Sequence, residues 1–449
     1  MQSRLLVPMT ASISRALGQF IHDGRFDDLP RDVVDLAKAC LLDSLATAYA
    51  ARSLPVPGIA RRFAGQNAGG AVIIAGGQRV PAVDAAFINA TLVNGCTHDD
   101  FLYKSHPGAV VIPAALAIAD ERASSGKEVL TAIVLGYDLV ARAYLGGPDM
   151  LPAFRATGVA GAIGAAGAAA RLLGLTATQA AHALGCAAMF ASGFGEGFRS
   201  GTTEVKLNVG WASRSGVSAA QLAQAGATAS PSIFEGESGY YQAYARTAQQ
   251  AGASIEQLGK RFLIEDTVYK ERPVCIFVQT PVHLAHQLAV QHQLDAHRIT
   301  RVTVRAPMLT LTNPGYQNVA PYASPLKARI SARFTVAAAL LGRPIDTYAY
   351  YDQTDDSQVL GLADKIHLLD PSPDQQGRVD VEVTCNDLTY RASGLEMDTL
   401  RPTTDKVIAK FRRLTTDLAS EKSERLLQTV LSLQDLPHID ELTSQLETL

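Results

Sequence analysis

The stretch Gly158-Val-Ala-Gly-Ala-Ile-Gly-Ala-Ala-Gly-Ala-Ala-Ala-Arg-Leu-Leu-Gly174 sets glycines three residues apart, at Gly158, Gly161, Gly164 and Gly167. On a helix that spacing strips one face of side chains, so neighbouring helices can approach closely. A glycine-rich loop that cradles phosphate should instead follow a β-strand, and none is visible ahead of Gly158. The stretch therefore reads as a tightly packed helix, and a dinucleotide-binding fold is not expected.

Helical spacing extends outward from it. Ile13, Ala16, Leu17, Phe20 and Ile21, then Val33, Val34, Leu36, Ala37, Leu41 and Leu42, predict two amphipathic helices within residues 12–66. Val72, Ile73 and Ile74, bracketed by Gly69-Gly70 and Gly76-Gly77, predict at most a short strand or turn. Helix resumes at Asp84 and runs through Leu92, Pro113 is expected early in the next helix, and Gly126 starts another. Residues 176–184 and 212–225 continue the pattern around a glycine-rich loop at 193–201.

Beyond Lys260 the grammar changes. Arg301-Val-Thr-Val-Arg-Ala alternates with period two, and Val379-Asp-Val-Glu-Val-Thr followed by Leu388-Thr-Tyr-Arg-Ala predicts a hairpin across Asn386-Asp387. Helices are expected at 285–294 and 334–341. The fold class is mostly α: a large all-helical domain, discontinuous over 1–261 and 401–449, with a smaller α+β lid domain over 262–400.

A chain of 449 residues supports that division, because single cores stop growing at roughly 250–300 residues. A net charge of -3 lacks the basic excess that nucleic acid or an anionic membrane attracts, so neither is an expected partner. Cys40, Cys96, Cys186, Cys275 and Cys385 are scattered and form no C-x-x-C pair, which disfavours a disulfide framework and suits a cytoplasmic protein. The opening residues lack an apolar run with a small-residue cleavage site, so no secretory signal is expected, and no stretch reads as a membrane span.

Chemistry concentrates in Asn94-Gly-Cys-Thr-His-Asp-Asp-Phe-Leu-Tyr-Lys-Ser-His-Pro-Gly-Ala-Val-Val-Ile-Pro113. His106, beside Asp99, Asp100 and Lys104, has the company that tunes an imidazole as a general acid or base. Its alternatives are a helix cap or a structural hydrogen bond, and His98 and Asp99 have local turn chemistry as theirs. H-E-x-x-H and H-x-x-E-H helices are absent, so no metal and no cofactor are expected. Lys206, after the glycine-rich loop, and Lys270, near the domain edge, are further candidates to border a cleft.

Several ordered motifs together carry a resemblance. Asn94-Gly95 through His106-Pro107-Gly108, Ile112-Pro-Ala-Ala-Leu-Ala-Ile-Ala, Leu135-Gly-Tyr-Asp, Gly161 through Leu175, Lys206 to Gly210, Tyr269-Lys270 to Cys275 and Ile330-Ser-Ala-Arg-Phe-Thr-Val-Ala-Ala-Ala-Leu resemble the MmgE/PrpD family. The resemblance implies an active site between the two domains, a homodimer, and cofactor-independent chemistry on small polycarboxylates through a carbanion next to a carboxylate. It implies catalytic positions at His106, Asp99, Asp100, Lys206 and Lys270. It places substrate-binding candidates at Arg155, Thr157, Gln279 and Tyr316, beside Lys104 and His98 from the loop itself.

This sequence also departs from the family pattern. A histidine position falls on Arg155, another on Gln279, and Thr97 and Phe101 flank the Asp pair. Arginine stays charged and cannot serve as a titrating base, although it grips a carboxylate bidentately. The expected activity is a lyase or isomerase moving a proton next to a carboxylate or carbonyl. Dehydration is placed first, decarboxylation next and epimerisation as an alternative, on a small acid less acidic and more apolar than methylcitrate. Arg155 and Gln279 motivate a rival, a non-catalytic relative that binds a small acid.

Overall fold

The glycine face is used as its spacing implies. In the computed structural model the helix Ala156–Leu172 packs against helices Pro107–Arg122, Gly126–Leu145 and Glu204–Gln224. A Cβ on Gly164 would stand 2.6 Å from the Gly136 carbonyl oxygen, and one on Gly161 would stand 3.0 Å from Val110 Cγ2. A methyl group at Gly164 would force the backbones apart and one at Gly161 would press on Val110, so these glycines allow the close approach of the helices.

The structure describes residues 12–150, 152–371, 377–397, 400–401 and 403–449. The opening segment read for a secretory signal lies outside them, apart from its junction with the first helix. The protein is mostly helical. Helices Ile13–Asp23, Arg31–Ala50, Pro55–Ala64 and Ala82–Val93 precede the site loop. The short pair Ala71–Val72 and Arg79–Val80 is antiparallel, as the β-branched run suggests.

One buried apolar cluster gathers residues from Ile13 to Ile264 with Tyr269, and takes in Val407, Phe411, Leu426 and Leu446 from the C-terminal helices. Thr404–Leu414 reaches it by lying along Arg31–Ala50. A second cluster is built from Phe101 and residues between Val268 and Leu400. Its frame is a four-stranded sheet in the order Ile366–Leu369, Ile299–Arg305, Arg378–Cys385, Leu388–Leu395. The first pair is parallel and the other two are antiparallel.

Along Arg378–Cys385 the residues Val379, Val381, Val383 and Cys385 are buried in strict alternation, which places them against helix Ile276–Gln291. The predicted hairpin turns at Asn386 and Asp387, with φ of 51° and 63°, the left-handed pair that tight hairpins need.

Four expectations need correction. Residues 12–66 hold three helices rather than two, because Pro55 opens one of its own. The helix containing Pro113 begins at Pro107, and the one expected at 285–294 begins at Ile276, with Pro281 inside it. The loop at 193–201 contains the helical turn Glu196–Ser200. Among the described residues no helix is long and apolar enough to cross a membrane.

Candidate active site

The loop between helices Ala82–Val93 and Pro107–Arg122 is held in a costly shape. Thr97 has φ of 57°, Tyr103 44° and Lys104 63°, and a β-branched residue such as Thr97 rarely enters that left-handed region. Two distant lysines secure Thr97. Lys206 Nζ donates to its Oγ1 at 2.8 Å, and Lys270 Nζ donates to its carbonyl at 3.2 Å. Phe101 pairs with Val268 through backbone bonds of 2.8 and 2.9 Å, which ties the loop to the segment carrying Lys270.

His106 ends the loop in the position preceding helix Pro107–Arg122, but its side chain makes no capping bond. Its Nδ1 lies 2.7 Å from the Asp100 carbonyl oxygen and 3.5 Å from Asp99 Oδ2. The backbone N–H of His106 donates to Thr157 Oγ1 at 3.2 Å. Nε2 has no hydrogen-bond partner among the described residues and is the nitrogen left for the cavity. Burial, then the charge of Lys270, lowers the imidazole pKa to about 3, so the empty site holds a neutral ring.

The two aspartates behave oppositely. Asp99 accepts from Asn94 Nδ2 at 2.6 Å and from Lys270 Nζ at 3.3 Å. Burial raises its pKa, but Lys270, His106, Lys206 and the Asn94 amide together outweigh that and hold it well below the usual carboxylate range. Asp100 is pushed up to about 8, first by burial and then by Asp43. Its Oδ1 accepts the Gly108 N–H at 3.0 Å and its Oδ2 lies 2.5 Å from the Tyr137 hydroxyl, so it secures the start of the following helix.

Lys270 has Asp99 as its counter-charge, whereas Lys104, Arg155 and Lys206 have no ion-pair partner among the described residues. All three donors of Lys206 go to neutral acceptors: the Asn94 carbonyl at 2.6 Å, Asn94 Oδ1 at 3.1 Å and Thr97 Oγ1 at 2.8 Å. Burial, then Arg329, pushes its pKa well below the ordinary lysine value. Arg155 bonds the Val205 carbonyl and Asn94 Oδ1, and burial lowers its pKa to about 10, which leaves it charged at neutral pH. Lys104 lies with Nζ 4.8 Å from the centre of the Phe277 ring, its pKa lowered by burial.

These groups meet in a cavity of about 80 Å³. Lys104, Arg155, Lys206, Lys270, His106 and Thr157 line it, and no aspartate or glutamate does. Asp99 and Asp100 stand behind the lining, bonded to it. Phe101, Phe154, Phe198 and Phe277 supply apolar walls, with Phe101 edge-on to His106 at 5.4 Å between ring centres.

Three expected substrate contacts lie elsewhere. His98 is buried away from the lining with no partner for Nε2, and Tyr316 is buried with no partner for its hydroxyl. Gln279 clamps backbone instead: its Nε2 donates to the Arg272 carbonyl at 2.8 Å and to the Val274 carbonyl at 3.2 Å. Residues that sequence reasoning passed over include Phe198 and Ile276, whose apolar side chains carry no motif. Asn94 opened the motif unremarked, yet it contacts Asp99, Arg155 and Lys206. Among the described residues no group of three His, Cys, Asp or Glu side chains comes together as a metal site requires.

An imidazole nitrogen with no hydrogen-bond partner thus stands beside Lys104, Arg155 and Lys206, which have no ion-pair partner among the described residues, and beside Lys270, which is paired with Asp99. The chain belongs to the MmgE/PrpD family: the family's N-terminal domain matches residues 15–252 and its C-terminal domain matches 273–435. Human cis-aconitate decarboxylase is 26% identical over 467 residues, covering 98% of this chain and 95% of the relative. Cis-aconitate decarboxylase of Aspergillus terreus strain NIH 2624 is 23% identical over 455 residues, covering 92% and 91%. The cis-aconitate decarboxylase-like protein oryM of Aspergillus oryzae is 25% identical over 472 residues, covering 96% of each.

Proposed function

We propose that this chain is a lyase needing no cofactor, in which His106 Nε2 moves a proton at a carbon next to a carboxylate. The observation that carries the reading is the cavity lining itself, four cationic side chains and no carboxylate. Of these only Lys270 has a carboxylate partner, Asp99; buried charge without a partner is costly, and a carboxylate substrate supplies the negative charge that the others lack. Arg155, Lys206 and Lys270 then hold the carboxylate and the enolate oxygen that forms as the proton leaves. The walls of Phe101, Phe154, Phe198 and Phe277 suit a small acid with an apolar flank.

In dehydration the C–H electron pair moves into the enolate and His106 takes the proton. The pair then returns to form the double bond as the β-hydroxyl departs with a proton. A neutral imidazole in the empty site favours this direction. Decarboxylation is the second reading, favoured by the activity for which the relatives are named. There the C–C bond breaks, carbon dioxide leaves, and a His106 imidazolium delivers the proton to the carbanion. The two apolar clusters support the division into a helical domain, 1–261 with 401–449, and a lid over 262–400, with the cavity between them.

The test is a panel of di- and tricarboxylates, including cis-aconitate and acids with alkyl flanks, incubated in heavy water with the wild type and with His106→Ala. Deuterium entering an α-carbon, or turnover, only with the wild type is expected. If the wild type binds these acids without exchange or turnover, the non-catalytic reading takes its place.

A further inference from the structure

We propose that the cavity on the far side of Lys270 is a second anion site, taking a small multiply charged oxyanion such as inorganic phosphate or a polycarboxylate. This cavity, of about 330 Å³, lies between the segment 269–272 and helix Thr404–Leu414. Lys406, Lys410 and Arg413 follow one another at helical spacing on the helix side, and Lys270 and Arg272 face them. The carboxylates in the lining are Glu271 and Asp346.

Both of those carboxylates are engaged by Arg272, whose Nη1 is 3.5 Å from Glu271 and whose Nε is 2.9 Å from Asp346. Lys406 and Arg413 have no ion-pair partner among the described residues, and both are exposed at the mouth. Arg413 Nη2 donates to the Glu271 carbonyl at 2.9 Å, which leaves most of its donor fork open. Lys410 is buried at the base. It donates to Asp43 Oδ1 at 2.6 Å and to the His98 carbonyl at 2.5 Å, which leaves one of its three N–H groups.

Lys270 is likewise buried, spends two donors on Thr97 and Asp99, and lines this cavity as well as the first. Buried ammonium donors below and unpaired cations above focus positive potential into a cleft, the arrangement that holds an oxyanion by charge-assisted hydrogen bonds. The imidazole of His98, buried with Nε2 unpartnered, has its pKa pushed well down by burial and then by Lys410 and Arg413. The second cavity contains no phenylalanine and no histidine in its lining, so it is chemically distinct from the first.

Calorimetric titration of the full chain at constant ionic strength tests the site, with inorganic phosphate in one arm and citrate in the other. Both arms are repeated in Lys206→Met, which impairs the first cavity. Saturable binding of either anion is expected in both backgrounds, and the arm that binds identifies the source. Lys406→Ala with Arg413→Ala should weaken it about tenfold or more with unchanged circular dichroism, since both side chains are exposed. Absence of binding in both arms overturns the proposal. So does binding in the Lys206→Met background that the double substitution leaves unchanged.

Discussion

The Asp100 carbonyl oxygen lies 2.7 Å from His106 Nδ1 and fixes which ring nitrogen carries the proton. A carbonyl only accepts, so Nδ1 is the donor and Nε2 of the neutral ring is left with its lone pair. His106→Gln removes that base while keeping a polar side chain of similar reach. Steady-state kinetics should show kcat lower by about 10²–10⁴-fold with KM and melting temperature little changed. An unchanged kcat removes His106 from the reaction.

The low pKa of His106, about 3, follows from burial and then from Lys270, and a bound carboxylate offsets that positive field. In kcat/KM, which reports the free enzyme, no imidazole limb should appear between pH 8 and 5. In kcat, which reports the complex, the acid limb should lie at higher pH. Stability follows its own sign. Between an ordinary value of 6.5 and about 3 the unfolded chain binds the proton that the folded ring refuses, so this contribution is lost as pH falls through that window.

Asp100 runs the other way. Burial, then Asp43, lifts it from 3.8 to about 8, so across that window the folded state keeps a proton that the unfolded state has released. Its contribution therefore declines as pH rises. Asp100→Asn retains an acceptor for the Gly108 N–H and abolishes the titration. Calorimetric melts should show the variant gaining on the wild type from pH 4 to pH 8, and a constant difference would mean that Asp100 is ionised throughout.

Asp99 and Lys270 face one another at 3.3 Å with both side chains fully buried. Asp99→Asn leaves the ammonium without its counter-ion and should cost about 3–5 kcal/mol in denaturant unfolding. Lys270→Met strands the carboxylate in turn. The two losses should be well short of additive in the double variant, because each single change removes the same pair. Full additivity would mean that the pair contributes nothing to stability.

Gly164→Ala tests the helix crossing, since the new methyl would meet the Gly136 carbonyl oxygen at 2.6 Å. A loss of about 1–3 kcal/mol is expected. Gly252→Ala is the control: no atom lies within 4 Å of the Cβ position, and the change should stay within about 0.5 kcal/mol. Equal effects from the two would argue against close backbone approach at Gly164.

Parts of this fold were legible because their determinants are local. The glycine spacing of Ala156–Leu172 and the alternation of Arg378–Cys385 each repeat within a few residues, and helical or strand geometry converts them directly into a packed face. The start of Gly126–Leu145 lies where the sequence places it, and Ser125 and Glu128 form a reciprocal capping box there, with bonds of 3.3 and 2.8 Å. The starts at Pro107 and Ile276 lie upstream of the expected ones, and Pro113 and Pro281 stand inside the helices. Interior prolines survive in helices whose neighbours are tightly packed, and that packing is not local.

The sequence by itself determined the mostly helical class, the change of grammar beyond Lys260 and the density of titratable groups between Asn94 and Pro113. Only the tertiary structure decided which of those groups meet. Lys206 and Lys270 reach Thr97 from 109 and 173 residues away, and Asn94 joins both Arg155 and Lys206 to Asp99. The same folding left His98, Gln279 and Tyr316 off the cavity lining. The physical reason is range: backbone periodicity acts over one or two turns, whereas burial and charge pairing depend on which distant surfaces close against each other.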